Sequence, residues 1–331
     1  MNEAAIEWWG KAGERSLERS ALVEAAEQLR CAIDQIAALP TTPELRQEHI
    51  KQQVAFANVL MTTKGYAAPE TTAALQKAAT LIQQAEALGE SLEDPLLLFS
   101  TLFGLWGLSR IAFNSDVMRQ QATQYLALAT KQNATVPLMI GHCVMGISLL
   151  LTGSISEGRA HLDQAIALYN ADEHHSLAAW FAMDIGVSIL CYRSIALWLL
   201  GYPEAALADM RCATENARAA GQAASLMYAL HHATLTHLQY GNYAAAISDA
   251  DELATWASEK DAMLWKASGK AFRGLRFGVD RQCSGSNFHH HNRHRRNTSN
   301  GSDNVAAGGF DTSSESVRRS RPNRRRLALH R

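Results

Sequence analysis

Proline is scarce in this sequence, with seven residues in 331, so the residue that most strongly breaks helices rarely interrupts the chain. No stretch alternates apolar and polar residues for long, which argues against half-buried strands. The five cysteines are widely spaced and form no C-x-x-C pair. This spacing excludes a dense disulfide framework and predicts reduced thiols in a cytoplasmic protein.

Long apolar runs and a leader pattern are also missing. The longest apolar stretch, residues 136–151, is shorter than a membrane span and contains His142, and residues 185–200 contain Arg193. The first residues, MNEAAIEWWGK, have no basic segment followed by an apolar core. We therefore expect neither a membrane span nor a secretory signal.

Charge is distributed unevenly along the chain. Residues 277–331 contain eleven arginines and four acidic residues, a net charge of +7. Residues 1–276 contain 20 basic and 28 acidic residues, a net charge of −8. The overall value of −1 hides this division. An acidic body offers no general attraction to nucleic acid or to anionic membranes.

What the chain does contain is a repeated pattern of small residues. A small residue is followed twelve positions later by another in three successive segments: Gly146 and Gly158, Ser194 and Ala206, and Thr234 and Ala246. Small residues at a fixed offset let two consecutive helices approach closely. The pattern resembles the tetratricopeptide repeat (TPR), and residues 9–40 and 103–125 carry further copies.

The sequence therefore predicts an all-α fold, a TPR-like α-solenoid of antiparallel helix hairpins over residues 1–276. A disordered tail rich in Arg, Ser and His is expected over residues 277–331. Gly153, Gly201 and Gly241 mark corresponding loops, and their separations of 48 and 40 residues exceed the usual TPR period of about 34. The hairpins should therefore be joined by loops of differing length.

A narrower resemblance involves five segments. They are similar to the helical region that follows the ATPase module in bacterial class III adenylate/guanylate cyclases and related ATPase regulators. The segments are KGYAAPE (64–70), FGLWGL (103–108), GRAHLDQAIALY (158–169), HHSLA (174–178) and LWLLGYPEAAL (197–207). The resemblance implies a sensor or scaffold module, and thus a fragment of a cyclase/ATPase-type signalling protein whose catalytic domains lie outside this chain.

Motifs for catalysis or cofactor binding are missing. The two Gly-Lys pairs lack the glycine-rich loop and the following Ser or Thr of a phosphate-binding loop. There is no H-E-x-x-H, and the adjacent histidine pairs are spaced poorly for ligands that must converge on one metal. We predict no catalytic residue, no metal site and no cofactor.

A solenoid of helix hairpins offers a concave groove lined by its first helices. By analogy with TPR geometry, the groove-facing positions lie six and three before, and one and four after, the small residue of the first helix. They are Ser188, Cys191, Ile195, Trp198, Tyr228, His231, Leu235 and Leu238. Aromatic and histidine side chains there would suit a bound protein or peptide. The alternative is that Trp198 and Tyr228 simply pack between repeats.

Three interpretations of the tail stand beside one another. It is out of frame, a solvated tail without function, or an Arg-rich arm that binds nucleic acid. The first is favoured because a one-base shift from Asp280 permits the string T-G-N-A-A-E-A, which has the form of the next repeat. An array that ends without a capping helix exposes an apolar end. We therefore expect self-association through residues 255–277.

The predicted function is a non-catalytic protein–protein interaction or regulatory scaffold in the cytoplasm, without membrane contact. Two alternatives stay open. One is an adenylate cyclase-related enzyme whose catalytic domains lie outside this chain. The other, a nucleic-acid binder that acts through the basic tail, is less favoured because the body is acidic.

Overall fold

The computed structural model describes residues 2–272 and 274, with side chains described from residue 4. All of them belong to the first of two units into which the chain divides, Met1–Val279. The predicted tail over 277–331 lies outside the described residues. Within them the chain is helical and contains no strand.

The helices follow one another with short connections. They are α1 (Asn2–Glu18), α2 (Leu22–Ala37), α3 (Pro43–Thr63), α4 (Pro69–Ala87), α5 (Leu96–Ile111), α6 (Ser115–Gln132), α7 (Thr135–Leu151), α8 (Ile155–Leu168), α9 (Ala171–His174), α10 (Ala178–Phe181), α11 (Ile185–Leu199), α12 (Pro203–Ala220), α13 (Ala223–Gln239) and α14 (Tyr243–Glu259). A 3-10 turn, His175–Leu177, joins α9 to α10, and residues 263–272 are helical again.

Local chemistry sets many of these helix boundaries. The Thr42 hydroxyl accepts a hydrogen bond from the Leu45 amide at 3.2 Å, and Pro43 occupies the first turn of α3. The Asn114 and Asn242 side chains cap α6 and α14 in the same way. Gly221 ends α12 with φ at +65°, a left-handed conformation that glycine adopts without steric cost.

The long helices form six hairpins: α1/α2, α3/α4, α5/α6, α7/α8, α11/α12 and α13/α14. Each hairpin packs against the next along the chain. The all-α, TPR-like solenoid of antiparallel hairpins is therefore confirmed. The repeat pattern had revealed five copies and missed α3/α4.

Backbone contact explains the twelve-residue spacing. A Cβ placed on Gly158 would lie 2.8 Å from the carbonyl oxygen of Gly146, and one on Gly146 would lie 2.9 Å from that of Gly158. In the next hairpin, the Ser194 hydroxyl donates to the carbonyl of Ala206 at 2.8 Å. These positions are small because two helix backbones meet there.

In every hairpin except α1/α2, the first helix has more buried residues than the second. Eleven residues of α7 are buried against three of α8, and eleven of α13 against four of α14. A first helix lining an open groove would be exposed on its inner side. The inner side is therefore covered.

Part of that cover is the connection between α8 and α11, residues 170–184, which we call the crossing segment. It contains α9, the 3-10 turn and α10, and α10 packs against α3 and α5. The segment accounts for the 48-residue separation of Gly153 and Gly201. It thus brings together hairpins that are distant in sequence.

No single helix in the described part of the chain is both long and apolar enough to cross a membrane. The pair Ala171–Phe181 and Ile185–Leu199, bent by 92°, passes the same test of length and composition when taken together. Of the cysteines in this part, Cys143 and Cys191 are buried, Cys31 is half-buried and Cys212 is exposed, and all four are free.

Candidate functional site

The crossing segment is held against α3 and α5 by side-chain hydrogen bonds to its backbone. The amide nitrogen of Asn58 donates to the carbonyl oxygens of Trp180 at 2.8 Å and Ala179 at 3.2 Å. Ser100 donates to the same Trp180 oxygen. Asn58 is only 4% exposed, so these bonds are shielded from water and fix the position of the segment.

A buried carboxylate closes the segment where α11 begins. Asp184 is fully buried and accepts hydrogen bonds from the Tyr169 hydroxyl at 2.9 Å and from the Val187 amide at 3.0 Å. His175 Nδ1 lies 2.7 Å from Asp184 Oδ2. Burial and the neighbouring carboxylate raise the pKa of Tyr169 far above its ordinary value. The tyrosine therefore stays protonated and acts as a donor, which makes this cluster a structural clamp.

The end of the crossing segment also meets the start of α13. The backbone N–H of Asp184 donates to the Ser225 hydroxyl at 2.8 Å, and the side-chain Nε2 of Gln222 donates to the backbone carbonyl of His175 at 3.2 Å. The Ala223 amide lies 3.4 Å from the Ser20 hydroxyl in the α1–α2 connection. The first and sixth hairpins therefore meet across the groove.

Two pockets lie beside the crossing segment. The N-terminal pocket, about 400 Å³, is bounded by α1, α3, residues 176–182 and the start of α13. The arginine pocket, about 250 Å³, is bounded by α3, α5, α11, α13 and residues 264–268. Thr62, Ala182 and Ala224 line both. The groove is thus divided in two.

Arg110 is the cation of the arginine pocket. Its Nη1 donates to the Tyr192 hydroxyl at 2.9 Å, and its guanidinium carbon lies 5.7 Å from the ring centroids of Tyr66 and Trp106. These are a hydrogen bond to a neutral group and two cation–π contacts. Among the described residues no carboxylate forms an ion pair with Arg110, and its buried Nε has no hydrogen-bond partner.

Two histidines of α13 form another wall of this pocket. The His232 ring stacks on Tyr228 with centroids 4.5 Å apart, and His231 Nδ1 lies 2.6 Å from the Ser268 hydroxyl. Burial lowers the pKa of His231 to about 4 and that of His232 to about 3. Both imidazoles are therefore neutral at pH 7, and the positive charge in this cluster is that of Arg110.

The structure separates the eight groove positions inferred from the sequence. Tyr228 and His231 line the arginine pocket. Ser188 and Cys191 are buried behind it, with the Ser188 hydroxyl 3.4 Å from the Tyr228 hydroxyl. Trp198 packs on Tyr240, with ring centroids 4.4 Å apart. The other three, Ile195, Leu235 and Leu238, are partly or largely exposed and line neither pocket.

Sequence reasoning missed Arg110, Tyr66, Tyr192 and Asn58. A signal for Arg110 existed, because it is the lone charge of α5, whose sequence is LLLFSTLFGLWGLSRI. A single charge in so apolar a helix has to meet a polar site or water. The other three carry no local mark, since their partners lie far away in sequence.

In the described part of the chain, no three His, Cys, Asp or Glu side chains come close enough together to hold a metal ion. His142 on α7 and His161 on α8 do meet, with their Nδ1 atoms 2.9 Å apart. Burial lowers the pKa of both. Two neutral rings sharing one hydrogen bond pack the α7/α8 hairpin.

Comparison with known proteins gives a fold and no family. No family model and no curated protein matches the sequence. The structure is similar to that of a Rap protein complexed with competence and sporulation factor, with a TM-score of 0.52 and 12% identity over 84% of this chain and 82% of that one. It is also similar to the Rap conjugation gene regulator of plasmid pLS20 in complex with the Phr* peptide, with a TM-score of 0.51 and 13% identity over 83% and 74% of the two chains. At such identity the likeness shows the helical-repeat fold alone.

Proposed function

We propose that this chain is a non-catalytic module that binds a peptide, or an extended segment of a protein, in the groove beside the crossing segment. The observation that carries the proposal is the divided groove itself. Its inner surface leaves two pockets lined by aromatic, histidine and small side chains. Concave sites with apolar walls and a few placed polar groups are typical ligand sites.

The fold neighbours support the same proposal. One is a complex with competence and sporulation factor and the other a complex with the Phr* peptide. In those proteins a helical-repeat fold therefore occurs in complex with a partner, which in one of them is a peptide. For the present chain, the eight groove positions inferred from the sequence stay a prediction.

A finer proposal is that the module regulates a cyclase/ATPase-type signalling protein. It rests on the resemblance of the five segments, of which KGYAAPE and FGLWGL come together in the structure. The Tyr66 ring packs over Gly107, where a Cβ would clash with it, and Tyr66 lines the arginine pocket. A cyclase-related enzyme and nucleic-acid binding through the tail stay alternatives, and self-association through the C-terminal end stays a prediction.

The test of peptide binding uses a pool of short random peptides and the full chain. The immobilised protein selects from the pool, and mass spectrometry identifies what is retained. Ala224→Trp would fill the space shared by the two pockets, since Ala224 lines both. Ala244→Trp adds the same ring at an exposed position of α14 and is the matched control.

We expect the wild type and Ala244→Trp to retain the same subset of peptides, and Ala224→Trp to lose it. Retention of that subset by Ala224→Trp would contradict binding in the groove. The absence of any selected subset in the wild type would contradict peptide binding altogether.

A further inference from the structure

The positive charge of Arg110 has no carboxylate partner among the described residues. Four other arginines of the described residues, among them Arg193, form ion pairs with carboxylates, and Arg110 does not. Arg193 Nη1 lies 2.7 Å from Asp209, and its Nε lies 2.6 Å from Asp163. Arg110 instead donates to the Tyr192 hydroxyl and lies against two aromatic rings. A cation removed from water without an opposite charge costs free energy, so such a residue is a candidate for binding.

The groups around Arg110 do not supply the missing charge. Burial raises the pKa of Tyr66 and that of Cys143 to about 12 each, so both are neutral at pH 7. The pKa of Tyr228 is raised for the same reason. The two α13 histidines are neutral, as described above. The arginine pocket therefore has a net charge of about +1 from its described residues.

The pocket is also short of hydrogen-bond acceptors. Arg110 Nε and Trp265 Nε1 are both buried donors without a partner among the described residues, and both side chains line the pocket. A guanidinium and an indole can only donate. Buried donors are almost always satisfied in folded proteins, so a ligand acceptor in this pocket would pair with groups that the described residues leave unpaired.

We propose that the arginine pocket binds a carboxylate of the peptide, either its C-terminus or an Asp or Glu side chain, with Arg110 as the charge partner. The ligand's identity as a peptide rests on the function proposed above. A planar carboxylate matches the guanidinium fork. Its single negative charge balances the single positive charge of the site, whereas a phosphate group would bring about −1.5 to −2. The aromatic walls provide contact for the rest of the residue that bears the carboxylate.

The probes are N-acetyl-phenylalanine, its neutral amide and inorganic phosphate, each titrated into the full chain. The reporter is the Arg110 Nε–H resonance in protein labelled with ¹⁵N-arginine, assigned by its loss in Arg110→Met. We expect the carboxylate probe to shift this resonance saturably, and the amide and phosphate to leave it in place. Thermal denaturation provides the readout in the variant, where we expect the stabilisation by the carboxylate probe to disappear.

An equal response to the amide would overturn the proposal, and so would an undiminished effect of the carboxylate in Arg110→Met. A saturable shift on addition of phosphate would also overturn it, because the ligand group would then be a phosphate and not a carboxylate. For peptides retained by the wild type, Arg110→Met should weaken binding about thirtyfold or more, the usual effect of truncating one partner of a buried charge pair.

A second measurement separates binding from a structural role. Arg193→Met leaves Asp209 without its ion-pair partner, while Asp163 keeps Arg159, so its urea midpoint should fall clearly. Arg110→Met leaves no carboxylate behind, so its midpoint should fall much less. An equal fall would assign Arg110 to the architecture and remove the inference. Peptide selection without carboxylate preference would remove only this inference, whereas a carboxylate response without any peptide selection would remove the proposed function.

Discussion

Replacing Asn58 by alanine should release the crossing segment from α3. The substitution removes the amide nitrogen that donates to the Trp180 and Ala179 carbonyls and lies 3.2 Å from the Ser100 hydroxyl. The Asn58 Oδ1 atom has no partner in the described structure, so the loss is that of the donated bonds. Ser100 still donates to Trp180, and the Ala179 carbonyl is left unsatisfied.

The magnitude follows from those bonds. Two buried hydrogen bonds contribute about 1 kcal/mol each, and an unsatisfied buried carbonyl costs about 1 kcal/mol or more. We therefore expect Asn58→Ala to lower the free energy of opening the segment by about 3 kcal/mol. If the loss reaches global unfolding, the melting temperature of a unit of this size falls by about 6–12 °C.

Hydrogen exchange is the sharper assay, because repeat arrays open locally. A loss of about 3 kcal/mol raises exchange in residues 170–184 about 150-fold. The outer helix α12 should change little. Asn216→Ala is the control, since this side chain donates an exposed hydrogen bond of 3.7 Å to Cys212 Sγ within α12. Unchanged exchange in residues 170–184 of Asn58→Ala would refute the idea that Asn58 anchors the crossing segment.

Two other predictions concern the helix contacts and the buried histidines. Gly158→Ala places a Cβ 2.8 Å from the Gly146 carbonyl oxygen, so it should lower the free energy of unfolding by about 1–3 kcal/mol. Gly274→Ala is the control, because the space around Gly274 is open, and it should leave this free energy unchanged. Equal urea midpoints for the two variants would contradict the prediction. The pKa of His232 is lowered from 6.5 in the unfolded chain to about 3 in the folded one. Between these two pH values the unfolded chain binds a proton that the folded chain does not, so stability rises with pH between about 3 and 6.5. Acidification from pH 7 to 4.5 should cost about 2–3 kcal/mol at this residue; His232→Gln should flatten that slope in urea titrations at several pH values, and an unchanged slope would contradict the assignment.

Local periodicity made most of the fold predictable. The twelve-residue spacing of Gly146 and Gly158 records a contact between neighbouring helices, and such contacts repeat with the pattern. The sequence pattern did not reveal the hairpin α3/α4, because α3 buries polar side chains, including Gln53 and Asn58. Gln53 donates to the Ala74 carbonyl, 21 residues away, and Asn58 to that of Trp180, 122 residues away. A search for an apolar helix face cannot detect partners of this kind.

The candidate site was predictable only where it follows the repeat. Tyr228 and His231 were placed by their offset from Thr234, and both line the arginine pocket. Trp198 was placed by the same rule, yet it packs on Tyr240. Arg110 and Tyr66 come from hairpins whose repeat pattern is weak. The pocket exists because the crossing segment and four first helices converge, which is a property of the fold as a whole.

Hydrogen exchange of the wild-type chain with and without a peptide selected from the random pool locates the bound ligand. Binding in the divided groove predicts slower exchange in residues 170–184 and in α3 and α13, whose inner faces line the two pockets. The outer helices α12 and α14 should exchange as before. Protection confined to α12 and α14, with the crossing segment unaffected, would contradict the proposal that this groove is the binding site.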